Sequence, residues 1–388
     1  MIDRLVLGGV EKTAIEEVRC LRESGIDANL LVLKRDGSIP AAFRQRLTEI
    51  PFEFLDDRLP RFLRTSWRIP GFYFFSVFHL LYAATLPWRV KRTEWEMILS
   101  HNSYTTFTAW MIARLRGIPY SMYVWDPVES VIVRAYTRGP IRLFKAVLLP
   151  IATLVDRVLA RGARQVFLSS HSYEGYMRRL LPAGATLAIV PPGCHPTDKP
   201  RPNAGGHLLA ATSWKEGKSL EILLRALAQV PEARLLIAGR WLHPGYRARM
   251  EALIGELGLA KRIEFEGEYD EARMAELARD ALCIVTMNAE LGFGMPSLEA
   301  AAEACTFVCP GVAGVAAYFT EGVEAYYYTE GDPAGLAAVL RHLVAEPGRA
   351  YAAGIAAWER ARSSLTWRHH ATAIAQVMGI PAPAQSTR

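Results

Sequence analysis

Cysteine is scarce in this 388-residue chain, and its five copies, Cys20, Cys194, Cys283, Cys305 and Cys309, are odd in number and scattered. No Cys-x-x-Cys pair or Cys/His group stands at metal-ligand spacing, so neither a disulfide framework nor a zinc site is expected. The thiols read as reduced, in a cytoplasmic protein. Cys305 and Cys309, four apart in an apolar run, read as buried small hydrophobes rather than a redox couple. Low-complexity tracts and short internal repeats are missing too. With 51% hydrophobic and 22% charged residues, the composition excludes a disordered, fibrous or multi-spanning chain. A secretory leader is not expected, because Gly8 and Gly9 interrupt the only apolar stretch near the start. One uncharged stretch, 69–88, lies between Arg68 and Arg89 and is long enough to span a bilayer, but it contains Pro70, Gly71, His79 and Pro87. A helix between Phe72 and Leu86, buried in a domain or lying in a membrane interface, is the expectation there.

The length calls for two domains. Charge divides unevenly between them: 26 Lys and Arg face 17 Asp and Glu through Pro196, whereas 19 face 22 after it. The basic first half suits an anionic partner such as a nucleoside diphosphate or an acidic membrane surface. Short apolar runs alternate with longer amphipathic stretches, the pattern of βαβ units and parallel sheets. Strands are expected at 28–33, 97–100, 120–124, 165–169 and 188–190, with helices at 13–24, 104–116 and 173–181. The segment TDKPRPNAGG reads as a linker. After it, strands are expected at 207–211, 234–238, 263–266, 282–287 and 306–310, separated by helices at 218–228, 244–257, 270–278 and 295–303. The fold class is therefore α/β, with two Rossmann-like domains, 1–196 and 197–364. A C-terminal helix in 365–388 is expected to pack back on the first domain. Two such sheets facing each other across a cleft would bind ligands at their carboxyl ends.

The most specific stretch is AELGFGMPSLEAAAEA, Ala289 to Ala304, where a glycine-rich turn opens a helix. Gly292 and Gly294 allow close backbone approach, and the helix start suits a diphosphate. Glu299 can accept two hydrogen bonds from ribose hydroxyls, or it is a solvated helix glutamate. On these residues the chain resembles the family 4 retaining glycosyltransferases of the GT-B fold, the group 1 type. The family hallmark is Glu, Gly-Phe-Gly, a small apolar-Pro step and a second Glu. LGFGMPSLEA, Leu291 to Ala300, matches all but the first position, where Leu291 stands beside Glu290. The resemblance assigns Gly292, Phe293, Gly294, Met295 and Glu299 to the donor and makes Glu290 the nearest stand-in for the sugar-holding carboxylate.

Upstream, TSWKEGKSLEILLRAL resembles the stretch in which an Arg and a Lys grip the donor diphosphate. Lys218 falls on the lysine and Ser213 on the arginine, leaving Lys215 as a substitute without arginine's bidentate fork. Arg240 is a further donor-site wall. In the first half, Gly8 and Gly9 of IDRLVLGGVEKTAIEEV resemble the family's glycine loop, which brings amides toward phosphate. Alone they would be an ordinary turn. The strands ending in ILSHNS and YSMYVWDPVES carry His101, Trp125 and Asp126. Trp125 stands where relatives often have a His and could stack on a sugar face. Asp126 is a polar site group or caps the turn before Pro127, and His101 is a site residue or a satisfied strand-end histidine.

The resemblance implies transfer of a hexosyl-type group from a nucleotide sugar to a glycan or lipid-linked acceptor with retention. The donor phosphate accepts the acceptor's proton, and neither a metal nor another cofactor is expected. The segment 59–92 interleaves Trp67, Phe72, Tyr73, Phe74, Phe75 and Trp88 with arginines. It is expected either to meet an anionic membrane surface, on the inner face of the cell membrane, or to fill a core. Leu291, Ser213 and Trp125 favour an alternative, a catalytically impaired relative acting as a nucleotide-sugar or glycan-binding partner subunit. Nucleic-acid binding is not expected, since no recognised motif accompanies the charge.

Overall fold

The computed structural model of the chain describes residues 1–6, 8–35, 39, 41–59, 85–135, 141–200, 206–287 and 293–381. The helix expected from Phe72, Trp67 to Phe75, part of the linker, and Glu290, Leu291 and Gly292 lie outside the described residues. The chain divides into two compact α/β units, Met1–Pro191 with His370–Arg388, and Pro192–His369.

In the first unit a parallel four-stranded sheet runs in the order β3 (Ile98–His101), β4 (Tyr120–Val124), β5 (Gln165–Leu168), β6 (Thr186–Ile189). A separate parallel pair is formed by β1 (Leu30–Val32) and β2 (Phe52–Phe54). The first residues join the two. Ile2 donates its amide to Leu31 O at 2.9 Å, while His101 donates to Met1 O at 2.9 Å and the Met1 nitrogen donates to Leu99 O at 2.6 Å. The Lys34 amide donates in turn to Asp3 O at 2.9 Å. Helices α1 (Gly9–Glu23), α2 (Ala41–Thr48), α3 (Ser103–Arg116), α4 (Val128–Ala135), α5 (Ile141–Gly162) and α6 (Glu174–Leu180) complete this part of the unit.

The second unit carries six parallel strands in the order β12 (Tyr326–Tyr328), β11 (Phe307–Pro310), β10 (Ala281–Val285), β7 (His207–Ala211), β8 (Arg234–Ala238), β9 (Ile263–Glu266). Successive residues of β7 serve different cores. Leu208 and Ala210 pack in one cluster, Leu209 and Ala211 in the other. Both faces are covered by helices, so the strand reads as an unbroken apolar run rather than an alternation. The helices are α7 (Leu220–Leu227), α8 (Pro244–Glu256), α9 (Glu271–Asp280), α10 (Met295–Ala302), α11 (Pro333–Ala345) and α12 (Pro347–Ser364). Local chemistry sets their starts: the carboxylate of Asp270 accepts the Arg273 amide at 2.8 Å, and that of Asp332 accepts the Ala334 amide at 2.9 Å. After α13 (Trp367–Met378) begins, the chain rejoins the first unit, where Ile374 and Met378 pack with Tyr123, Trp125, Phe167 and Val190. All five cysteines are buried and unbridged.

Candidate donor site and the strand ends of the first unit

In the second unit the chain lays down β7, β8 and β9 in one direction and returns to place β10, β11 and β12 on the other side of β7. That reversal puts the switch point between the carboxyl ends of β7 and β10, the position at which open α/β sheets generally bind ligands.

The loop after β7 runs from Thr212 to Ser219 and is pinned by Trp214. This side chain is fully buried, donates from Nε1 to Ala238 O at 2.9 Å and stacks on Trp241 with ring centroids 5.7 Å apart. Its backbone is held as well, with the Trp214 amide on Arg240 O and the Leu242 amide on Trp214 O. Lys215 next to it is exposed, and Lys218 is half-buried just before α7. Gly217 at φ 90° and Ser219 at φ 53° turn the chain through left-handed conformations so that the loop can reverse into α7. Ser213 is exposed beside them.

After β8, Gly239 has φ 117°, and a Cβ there would stand 2.0 Å from Thr212 O. Only glycine lets these two loops touch. Arg240 follows, exposed and 3.4 Å from the Glu268 carboxylate.

After β10, Gly294 at φ 94° caps α10 in the left-handed region, with Val315 so close that a Cβ would lie 3.1 Å from it. Phe293 is buried against Tyr318, and its carbonyl accepts the Val315 amide at 2.7 Å. Met295 is half-buried. The helix start offers fewer free amides than its glycines suggest. Pro296 has none, and the Ser297 amide is 3.1 Å from Gly294 O. Glu299 is half-buried one turn in. Burial, with the nearby Glu299 carboxylate adding to it, pushes the Tyr269 hydroxyl well above its ordinary range. Lys215, Lys218, Gly294 and Glu299 thus all belong to the two loop-helix junctions that flank the switch point.

The first unit presents its own strand ends. Gly8 caps α1 with an extended backbone, and Gly9 is the helix's first residue. The Glu11 carboxyl folds back over this turn, so close that a Cβ on Gly8 would meet its Oε2 at 2.5 Å. Burial, with the carboxylate of Asp3 adding to it, pushes Glu11 up to about 7, against the pull of its own amide and of Arg4. The α1 start therefore already carries a carboxyl group where sequence reasoning expects phosphate. Glu11 was missed, although its spacing of three from the Gly8 cap is the spacing of a capping box.

His101 is 2% exposed, and its Nε2 donates to the equally buried Glu17 carboxylate at 2.8 Å. Its ring stacks on Tyr123. Its buried Nδ1, like Oε1 of Glu17, meets no hydrogen-bond partner among the described residues. Trp125, placed by sequence as a surface for a sugar, is 8% exposed and packs in the same core as Tyr123. Asp126 is half-buried, and its carboxylate accepts from the Tyr173 hydroxyl at 3.0 Å, which also bonds the Ser130 hydroxyl at 2.8 Å. Among the described residues no group of three or more His, Cys, Asp and Glu side chains is arranged to hold a metal ion.

Comparison with known proteins agrees with this architecture. Residues 8–193 match the family profile of a glycosyl transferase 4-like domain, and residues 206–346 match that of glycosyl transferases group 1. A D-inositol 3-phosphate glycosyltransferase of Catenulispora acidiphila is 24% identical over 273 residues, 66% of this chain and 65% of that protein, so the alignment spans just under two thirds of the relative's length. The crystal structure of Anabaena HepE with UDP and glucose superposes with a TM-score of 0.74 at 17% identity, covering 97% of this chain and 98% of that one. Sucrose-phosphate synthase from Thermosynechococcus elongatus gives 0.71 at 19% identity, covering 97% and 94%. At these identities the two structures establish the GT-B fold.

Proposed function

The chain belongs to the group 1 glycosyl transferases, and we propose from this that it moves a sugar from a nucleoside-diphosphate sugar to a glycan or lipid-linked acceptor. The observation that carries the reading is the meeting of two junctions at one switch point: the Trp214-pinned loop bearing Lys215 and Lys218, and the turn that opens the helix of Glu299. In this reading Lys215 and Lys218 neutralise the diphosphate as point charges. Glu299 accepts from the ribose hydroxyls, and Arg240 and Tyr269 border the nucleotide. Phe293 acts from the core, through its carbonyl, by fixing the turn that Gly294 and Met295 complete. Glu290 and Gly292 belong to the same turn in sequence. In the first unit Asp126 keeps enough exposure to meet the acceptor sugar, and Trp125 and His101 hold the floor beneath it.

The transfer is a hexosyl-type one with retention, as in the family the sequence resembles. As the bond from the anomeric carbon to the diphosphate oxygen breaks, the bond to the acceptor oxygen forms on the same face, and the acceptor's proton passes to the departing phosphate. Such a step needs positioning and neutralised charge more than a protein base. UDP-sugars are the donors to try first, since HepE is bound to UDP and glucose. The test is release of nucleoside diphosphate from a panel of donors. Lys218→Ala and Glu299→Ala are expected to lower kcat/KM roughly 10- to 1,000-fold, the range for lost charge stabilisation and nucleotide contacts. Wild-type turnover unaffected by both changes would refute the assignment. The second reading, a binding subunit without turnover, is favoured by Ser213 and Leu291. It requires UDP to raise the melting temperature of the wild type while no donor is consumed with any acceptor tried.

A further inference from the structure

Helix α5 carries an apolar stripe on its outside. Val147, Ile151, Leu154 and Val158 are 62%, 53%, 57% and 38% exposed. At about 100° per residue these four positions fall within roughly 60° of each other on the helix surface. The opposite face is already used: Ala152, Leu159 and Ala160 are buried, the last two in the core with Val124, Val166 and Leu168. The helix therefore has two apolar sides, and only one is packed among the described residues. Scattered exposed aliphatics are ordinary, but four in one line over three turns are not.

The charges on this helix decide what covers the stripe. Its one acidic residue, Asp156, is 2% exposed and turned inward, accepting the amides of Val128 and Glu129 at 2.9 and 3.0 Å and the Tyr176 hydroxyl at 2.9 Å. The residues that flank the stripe toward its carboxyl end are Arg157 and Arg161, both exposed. Arg161 donates from its Nε to Leu180 O at 3.0 Å. An apolar line edged by guanidinium groups, on the basic half of the chain, complements a surface whose interior is hydrocarbon and whose rim is anionic. A second copy is a poor match, because it would bring like-charged rims together. Among the described residues no helix is long and apolar enough to cross a membrane, so the fit is to an interface rather than to a span.

We propose that α5 is a membrane-surface helix, which seats Val147, Ile151, Leu154 and Val158 among acyl chains and sets Arg157 and Arg161 against anionic phospholipid headgroups. This face is separate in sequence from the aromatic 59–92 segment, and the inference does not rest on the chemistry proposed for the donor site.

Flotation of the full-length chain with vesicles tests it. Wild type is expected to float with an equal mixture of phosphatidylglycerol and phosphatidylcholine, and roughly tenfold less with phosphatidylcholine alone, because charge and apolar insertion act together. Ile151→Asp with Leu154→Asp, at exposed positions, is expected to abolish flotation while the circular dichroism spectrum stays unchanged. Arg157→Gln with Arg161→Gln serves as a milder pair should that variant fold poorly, and is expected to weaken flotation and flatten its salt dependence. Three outcomes overturn the proposal: wild type that stays with the soluble fraction, variants of both kinds that float as well as wild type, or a wild-type dimer split by the aspartates with no vesicle bound.

Discussion

A carboxyl group buried over the first turn of a helix meets two opposing demands. The helix start favours the charged form, while loss of water and a neighbouring carboxylate favour the proton. For Glu11 the second side wins, and its pKa rises from an ordinary 4.5 to about 7. The folded chain keeps this proton where the unfolded chain has released it. Stability is therefore lost as pH rises from 4.5 toward 7 and stays lost above it, by on the order of 3 kcal/mol. Glu11→Gln is expected to be the more stable protein near pH 8, with the advantage shrinking toward pH 5. Urea unfolding at both pH values measures it, and parallel profiles would remove the explanation. Glycines separate in a similar way. Gly239 and Gly217 both have positive φ, but a Cβ at Gly239 would collide with Thr212 O, whereas a Cβ at Gly217 would meet no atom within 4 Å beyond its chain neighbours. Gly217→Ala is expected to cost about 1 kcal/mol of backbone strain, and Gly239→Ala at least about 2 kcal/mol more, because two backbones must part. Equal melting temperatures for the two variants would contradict this.

At the level of elements, the donor loop depends on a residue that touches no phosphate in the proposed reading. Trp214 spends its indole N–H on Ala238 O, at the end of the neighbouring strand, and so fixes where Lys215 can reach. Trp214→Phe keeps most of the packing and loses that bond. It is expected to raise the donor KM by roughly tenfold, about one hydrogen bond, with kcat changed little. A fall in kcat at constant KM would point to a different role. Nothing in TSWKEGKS announces this, since the partner carbonyl is supplied by β8. What sequence did convey were parallel strands: 120–124, 207–211, 234–238 and 263–266 are observed as expected, the first three because strands covered on both faces are mostly continuous apolar runs bounded by turns, the last as an alternating edge strand. The edge strands Phe52–Phe54 and Tyr326–Tyr328 were missed, being three residues each and too short to display a period. The helix Ile141–Gly162 was missed as well, since Pro150 interrupts it and its second apolar side blurs the amphipathic pattern. At the candidate site, the glycine-rich turn and the family resemblance of TSWKEGKS pointed to the two junctions, while the burial of His101 and Trp125 required tertiary contacts that no local pattern contains.

On the scale of the whole molecule, the chain leaves the first unit at Pro191 and returns to it at His370, so that unit's stability depends on a helix that follows the second unit in the sequence. The returning His370 donates from Nδ1 to Pro191 O at 2.7 Å and packs near Tyr123, with ring centroids 5.8 Å apart. Burial holds its pKa below the ordinary value of 6.5, with the His101 ring adding to that, and the opposing pulls of Glu17 and of the Pro191 bond do not restore it. Burial would raise Glu17, but the charge and hydrogen bond of His101, followed by His370, outweigh it and hold that carboxylate low. Both signs point the same way on acidification. The unfolded chain takes a proton on this histidine below about pH 6.5 and the folded chain resists it, so stability falls from there downward; Glu17 adds its own loss below about pH 4.5, as its proton weakens the bond it accepts from His101. Glu11 acts in the opposite sense over the same range, so the test is made on a Glu11→Gln background, where the expected result is a melting temperature that declines in two stages between neutral pH and pH 4. His370→Gln, which cannot charge, should remove the first stage and leave the second, whereas Glu17→Gln, which strands His101 without its carboxylate, should lower stability by about 3 kcal/mol or more already at neutral pH. If His370→Gln melts with an undiminished upper stage, protonation elsewhere governs the acid response, and the returning helix is not where acid first loosens the first unit.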